Sequence, residues 1–317
     1  MKPPFFDFDL PFHFGSVAAK TRNWLLDHNT VLREFTLQFD CGDDFFFPVS
    51  LFRDREILTG SGSKAELVFK SSGSSSSKRS VHFVRDAALY RKSILSGFLM
   101  FFGKEKFTIL ALLPHYLQAG ESSLVYMVNE LISAFGNPGS GFYAGSPAEL
   151  QLALERAEKN SHRIILFGAS YALLDLANQK KLRLPPGSIV IETGGMKGRG
   201  RELTRMELHQ SLMEGLGVSG IHSEYGMTEL LSQAWALKEG RFCTPPWMQI
   251  IITDPNSVSL EVARGETGRI NIIDLANVHS CSFIATDDLG CMHDDGSFEV
   301  LGRIDHAELR GCNLLVL

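Results

Sequence analysis

Between residues 146 and 246 the chain alternates short apolar runs with amphipathic stretches, the pattern of strands exchanging with helices. SPAEL opens a helix with Ser146 as N-cap, Pro147 at the first helical position and Glu149 in the first turn, and the pattern carries it to about Lys159. RIILF (163–167) predicts a short buried strand, GAS (168–170) a turn, and YALLDLANQKK a helix ending in cations that suit its C-terminal dipole. SIVIETGG predicts a second strand and a polar turn. After a basic loop, Thr204 and Glu207 form a capping box for RMELHQSLMEGLG, whose glycines close the helix. GIHSEYG is then a third strand, and TELLSQAW is expected to start another helix.

Strands alternating with helices at this spacing predict an α/β fold with a parallel sheet and right-handed crossovers. The turns at 168–170, 192–195 and 224–229 follow the C-terminal ends of their strands, the edge of an open parallel sheet where ligands bind, so the three are expected to converge on one site. Upstream, residues 15–28 form a helical candidate, and Phe45, Phe46 and Phe47 form an aromatic run closed by Pro48. The most apolar windows, 94–103 and 107–117, are separated by Lys104, Glu105 and Lys106; each is too short to span a bilayer and is expected as a buried helix and a buried strand. From about residue 247 the texture changes to strands broken by turn signals, a largely antiparallel and smaller β subdomain. The expected organisation is an N-terminal segment packed on the core (1–57), an α/β subdomain (58–246), a β-rich subdomain (247–300) and a short tail (301–317).

Composition narrows the function classes. With 44% hydrophobic and 21% charged residues among 317, the chain has an ordinary soluble balance, and a net charge of −5 argues against a nucleic-acid or anionic-membrane footprint. Five cysteines, an odd number without a CxxC pair, indicate a reducing compartment. The N-terminus carries Asp7, Asp9 and early prolines where a signal peptide needs a basic start and an apolar run. A cytoplasmic enzyme is expected.

Several segments can carry chemistry. SSGSSSSKRS (71–80) follows the strand candidate at 67–69 and supplies small residues, hydroxyls and a cation, the makings of a phosphate cradle; a flexible serine linker has the same composition. No GxxxxGK[ST] occurs. HSEYGMTEL (222–230) offers an aromatic ring, a hydroxyl and a carboxylate within five residues, or simply a turn before a helix. TDDLG (286–290) and VLGRIDHAELRGCN (300–313) are ordinary turn and strand-end sequences taken singly. Two other chemistries compete. Ser170 follows a strand much like a hydrolase nucleophile elbow, although Ala172 replaces the second glycine; and His279, Cys281, Cys291 and His293 form an HxC and CxH pair suited to zinc.

Taken in order, the Ser/Gly loop, YGMTE, TDDLG and GRxD resemble the adenylate-forming superfamily. ETGGMKGRGRELTRMELHQ and RGCN look most like the LuxE-type acyl-protein synthetases, with phenylacetate-CoA ligases more distant; the resemblance covers about residues 60–317. It implies ATP and Mg2+ as cofactors. Ser71, Ser72, Gly73, Ser74, Ser75 and Ser76 would hold the β- and γ-phosphates. Thr193, Gly194 and Gly195 would lie against the adenine with Tyr225 on its other face. Thr228 would touch the α-phosphate, Glu229 would hold Mg2+, Asp288 would bind the ribose hydroxyls, Arg303 matches the family arginine, and Asp305 sits at the hinge position. The implied reaction converts a carboxylic acid, a fatty acid first, to acyl-AMP and passes the acyl group to a thiol. That thiol would be Cys312, a carrier or reductase partner protein, or CoA, the last giving an acyl- or aryl-CoA ligase. The superfamily's mobile C-terminal domain and its lysine have no counterpart before Leu317, so Lys197 is taken as a catalytic cation, with Lys78, Arg199 and Arg201 as alternatives; a non-catalytic nucleotide-binding relative is the remaining reading.

Overall fold

The computed structural model describes residues 6–39, 45–60, 62, 64–72, 78–113, 121–143, 147–180, 182–194 and 203–304. In chain order these form α1 (Phe14–His28), α2 (Thr30–Phe39), β1 (Phe47–Pro48), α3 (Leu51–Asp54), β2 (Leu67–Lys70), β3 (Val81–Val84), α4 (Ala87–Phe102) and β4 (Phe107–Leu112). Next come α5 (Ser123–Phe135), β5 (Gly141–Phe142), α6 (Pro147–Lys159), β6 (Arg163–Ala169), α7 (Ser170–Asn178), β7 (Ile189–Thr193), α8 (Arg205–Leu216) and β8 (His222–Tyr225). The remainder is β9 (Ala234–Ala236), β10 (Phe242–Cys243), β11 (Met248–Asp254), β12 (Ser257–Glu261), β13 (Thr267–Asp274), β14 (Phe283–Met292) and β15 (Phe298–Arg303). The chain divides into two compact units, one drawn from 1–68, 80–87 and 243–317, the other from 69–79 and 88–242.

The second unit is the α/β body. Its strands run in the order β9-β8-β7-β6-β4-β5, parallel from β8 to β5. Strands β4 and β7 are buried along their whole length, as a parallel sheet covered on both faces requires. On one face Leu110, Ile164, Leu166 and Val190 pack with Leu150 and Leu154 of α6, Leu173 of α7 and Leu212 of α8. Side chains alternate along a strand, so Phe107 points to the other face, where Phe98 of α4 meets Phe107, Phe135 of α5 and Trp235 of β9. The described part of the second apolar window, β4 with Leu113, is core throughout, whereas in the first Ile94 and Phe98 of α4 are buried but Met100 is exposed, so that helix is half-buried where a buried one was expected.

Local signals explain the element ends. The Thr204–Glu207 capping box forms as expected, and α8 stops at Gly217, whose φ of 74° is the left-handed conformation that a Cβ disfavours. Helix α6 runs from Pro147 to Lys159, while Ser146 lies outside the described residues. Three expectations need correction. GAS is not a turn: β6 continues through Ala169 and α7 begins at Ser170. The helix expected to end in cations stops at Asn178, and Lys180, at φ 52°, already has left-handed backbone. TELLSQAW is no helix. It makes a turn and returns as β9, antiparallel to β8 with Tyr225 opposite Ala234, because the hairpin pairs the exposed side of β8 and buries Leu230, Leu231 and Trp235.

The first unit holds an antiparallel sheet in the order β12-β11-β13-β14-β15, with β1 added parallel to β14. TDDLG is not a turn either; it lies inside β14, with a register irregularity at Leu289/Gly290. The irregular-looking N-terminus contains α1 as expected and also α2, whose Leu32 is fully buried. Among the described residues no helix is long and apolar enough to cross a membrane.

Within α8, a Cβ added at Gly215 would lie 2.6 Å from both the Cβ and the carbonyl oxygen of Ala177. A glycine inside a helix ordinarily gains about 1 kcal/mol on replacement by alanine, but here backbone would have to move. Gly215→Ala is expected to destabilise the protein by about 1–3 kcal/mol in urea unfolding, opposite in sign to the propensity effect.

Candidate functional site

Strands β6, β7 and β8 end side by side, and the residues at their C-terminal ends are joined by buried polar contacts. Ser170 Oγ, fully buried at the start of α7, lies 2.6 Å from Glu192 Oε2, 2.6 Å from the Gly194 carbonyl and 3.3 Å from the Thr193 carbonyl. Its single proton serves one acceptor at a time. The Thr193 hydroxyl donates to the Glu224 carboxyl group across the β7–β8 pair. Glu192 Oε1 faces Arg205 Nη1 at 3.2 Å and His209 Nε2 at 3.6 Å, both on α8, and Ser223 Oγ lies 3.3 Å from His209 Nε2. The C-terminal ends of β6, β7 and β8 thus converge, as strand order predicts.

The two carboxyl groups are shifted in opposite directions. Burial alone pushes Glu192 up, but His209, Arg205, Ser170 and Ser223 together outweigh it and hold the group below its ordinary value. Glu224 is pushed up to about 7 by burial and by the charge of Glu192, which the hydrogen bond from Thr193 only partly offsets. A neighbour makes room for it: a Cβ at Gly226 would sit 2.5 Å from Glu224 Oε1. The Arg205 guanidinium also covers the Phe242 ring at 4.9 Å, and that ring meets Tyr225 edge-on at 5.9 Å.

Among the residues singled out from the sequence, Thr193 closes β7, Gly194 follows it with a φ of 70°, and Tyr225 closes β8, nearly buried. Thr228, half-buried, and Glu229, buried, lie in the turn between β8 and β9. Ser71 and Ser72 follow β2, which Lys70 ties to Glu121 by a backbone hydrogen bond and a 2.8 Å ion pair. Lys78 is exposed. Asp288 and Arg303 belong to the other unit, opposite each other on β14 and β15 with Arg303 Nε 3.5 Å from Asp288 Oδ1. Gly73, Ser74, Ser75, Ser76, Gly195, Lys197, Arg199, Arg201, Asp305 and Cys312 lie outside the described residues.

Sequence reasoning missed Glu192, Glu224, Arg205 and His209 as a connected set. A signal was present: ionisable residues at the ends of otherwise apolar strands are costly to bury unless partnered. Neither competing reading holds in the form the sequence suggests. A serine nucleophile needs an imidazole at its hydroxyl, whereas Ser170 faces a carboxylate with His209 on the far oxygen. The two Cys/His pairs also fail to meet. Cys281 donates to the Phe283 carbonyl within the core, while Cys291 and His293 come together with Glu299.

Solved structures share this fold. MatB from Rhodopseudomonas palustris with bound ATP matches at TM-score 0.55 and 16% identity over 74% of this chain and 47% of that one, and 2-hydroxyisobutyryl-CoA ligase in complex with 2-HIB-AMP and CoA matches at 0.64 and 12% over 96% and 82%. The fold is that of the adenylate-forming ligases, and the chain spans about half the length of the MatB structures it matches. The description "Acyl-protein synthetase, LuxE" matches residues 36–317, and the chain belongs to that family. A curated relative, the long-chain-fatty-acid–luciferin-component ligase of Vibrio harveyi, is 24% identical over 296 residues, 87% of this chain and 78% of that protein.

A carboxyl that rises from 4.5 to about 7 on folding holds more protons folded than unfolded between those values, so the stability it allows is full below pH 4.5 and is lost as pH climbs through 7, about 3 kcal/mol in all. Glu224→Gln removes the titration. Unfolding free energies measured in urea at about pH 5 and pH 8 are expected to fall less with pH in this variant than in the wild type, by up to about 3 kcal/mol.

Proposed function

We propose that this chain activates a carboxylic acid, a fatty acid first among candidates, with ATP and then transfers the acyl group to a thiol. The observation that carries this reading is the convergence of the C-terminal ends of β6, β7 and β8, where Thr193 and Tyr225 close two strands and Thr228 and Glu229 lie in the turn that follows, in a chain of the LuxE family. The name of the Vibrio harveyi relative supports a long-chain acid.

A carboxylate is not displaced by a thiol at neutral pH because oxide is too poor a leaving group. In the first step a carboxylate oxygen attacks the α-phosphorus of ATP, the bond to the bridging oxygen breaks, and pyrophosphate leaves with the electron pair. The acid is already ionised, so no general base is required; the protein positions the groups and neutralises phosphate charge. Thr193 and Gly194 form one wall for the adenine and Tyr225 the other, Thr228 donates to the α-phosphate, and the serines from Ser71 onward receive the outer phosphates. Asp288 holds the ribose hydroxyls, Arg303 is the matching arginine, and Lys197 supplies a cation. A buried carboxylate beside phosphate oxygens suits Mg2+, which binds through one or two carboxylates plus substrate phosphates, so Glu229 fits as its protein ligand. Bound there, Mg2+ would offset phosphate charge. In the second step a thiolate attacks the acyl carbon and AMP leaves. Cys312 is the first acceptor to test, with the neighbouring Arg310 favouring its thiolate form. CoA is the second, since the 2-hydroxyisobutyryl-CoA ligase neighbour holds it.

Carboxylate-dependent exchange of labelled pyrophosphate into ATP tests the first step across a panel of acids. Glu229→Gln is expected to lower exchange by at least about a hundredfold. If ATP binds but no acid supports exchange, the proposal fails. Cys312→Ser should keep exchange and lose covalently held acyl label; acyl labelling that survives in this variant removes Cys312 as carrier.

A further inference from the structure

The β14–β15 hairpin carries a cluster that the adenylation reading leaves unused. Cys291 stands directly opposite Glu299, and His293 follows two residues later. One ligand atom from each, a thiol sulfur, an imidazole nitrogen and a carboxylate oxygen, lies within 4.8 Å of the other two. His293 Nε2 is 2.9 Å from Glu299 Oε1. The tip that aims these groups is well fixed: the His293 N–H donates to the Ser297 carbonyl, Gly296 turns the chain at φ 84°, and Arg264 donates to the carbonyls of His293 and Asp294. Cys291 is buried, whereas His293 and Glu299 are partly open to solvent, so an ion would have a path in and room for water.

We propose that Cys291, His293 and Glu299 bind one zinc ion, with solvent completing a tetrahedron. The donor set matches the chemistry of Zn2+, which accepts sulfur, imidazole nitrogen and carboxylate oxygen together; bonds of about 2.0–2.3 Å put tetrahedral donors roughly 3.3–3.8 Å apart, a closure that small side-chain rotations supply. Charge also balances. The thiol releases its proton to solvent as the Zn–S bond forms, and the Cys291 thiolate and the Glu299 carboxylate then neutralise the dication beside a neutral imidazole, which suits a half-buried position. Mg2+ is a poor match because it prefers oxygen donors and keeps its waters. The ion would bridge β14 and β15 near their turn, and the same strands carry Asp288 and Arg303 farther along, so metal binding would stabilise the register that places that pair.

The test uses the full-length chain stripped with a chelator and titrated with Zn2+ against a chromogenic competitor, followed by Co2+ substitution and thermal unfolding. One equivalent is expected to bind at micromolar or tighter affinity, with a sulfur-to-cobalt charge-transfer band and a higher melting temperature on Zn2+ addition. Cys291→Ser and His293→Gln should each weaken binding at least about tenfold, and Cys291→Ser should also remove the sulfur band. No stoichiometric binding to the wild type, or unchanged affinity in either variant, would overturn the proposal and leave an ordinary His–Glu ion pair beside a core cysteine. Pyrophosphate exchange does not enter the readout, so this test and that of the adenylation reading fail independently.

Discussion

Two carboxyl groups on adjacent strand ends, both nearly out of water, cannot both be ionised without a large penalty. The fold resolves this unequally. Arg205, His209 and Ser170 attend Glu192, while Glu224 is left with Thr193 and is pushed up to about 7. The arrangement draws one residue from the start of α7, two from the end of β7, two from β8 and two from α8. Breaking any strand's register would therefore strand a buried charge, and the placement of three strand ends is tied to one electrostatic constraint.

The rest of the α/β body serves that edge. Apolar residues on both faces of β4, β6 and β7 hold the strands level, so that their final residues emerge together. Trp235, anchored on Phe98, fixes the return strand β9 and hence the turn that carries Thr228 and Glu229. Phe242 links this chemistry to packing: it lies against the Tyr225 ring and beneath the guanidinium that neutralises Glu192. The phenol ring is positioned from the same side as the buried charge is compensated.

Much of this was legible from residues whose behaviour is local. Thr204 and Glu207, Gly217, Pro147 and the apolar runs of β6 and β7 act through capping, backbone freedom and burial, and they formed the elements they predict. The order of strands was enough to bring the three strand ends together. The stretch from Thr228 to Trp235 failed because its helical composition yielded to a non-local demand, the unpaired edge of β8. TDDLG failed likewise: aspartates favour turns in isolation, yet Asp288 is held in a strand opposite Arg303. The Glu192–Glu224 pair was invisible to motif reading because its members are 32 positions apart in sequence and meet only through β7–β8 pairing, in which Thr193 stands opposite Glu224.

Gly226 is not among the glycines with positive φ, so the left-handed backbone that favours glycine does not account for it. The space where its side chain would be is occupied by the Glu224 carboxyl group. The glycine of YGMTE and the acid before it are thus a single steric unit: a chain that enlarged position 226 would have to give up or re-aim the acid, and a chain that shortened the acid would free the position for other residues. Tolerance at one site is conditional on the other, and substitutions there should be accepted as pairs rather than singly.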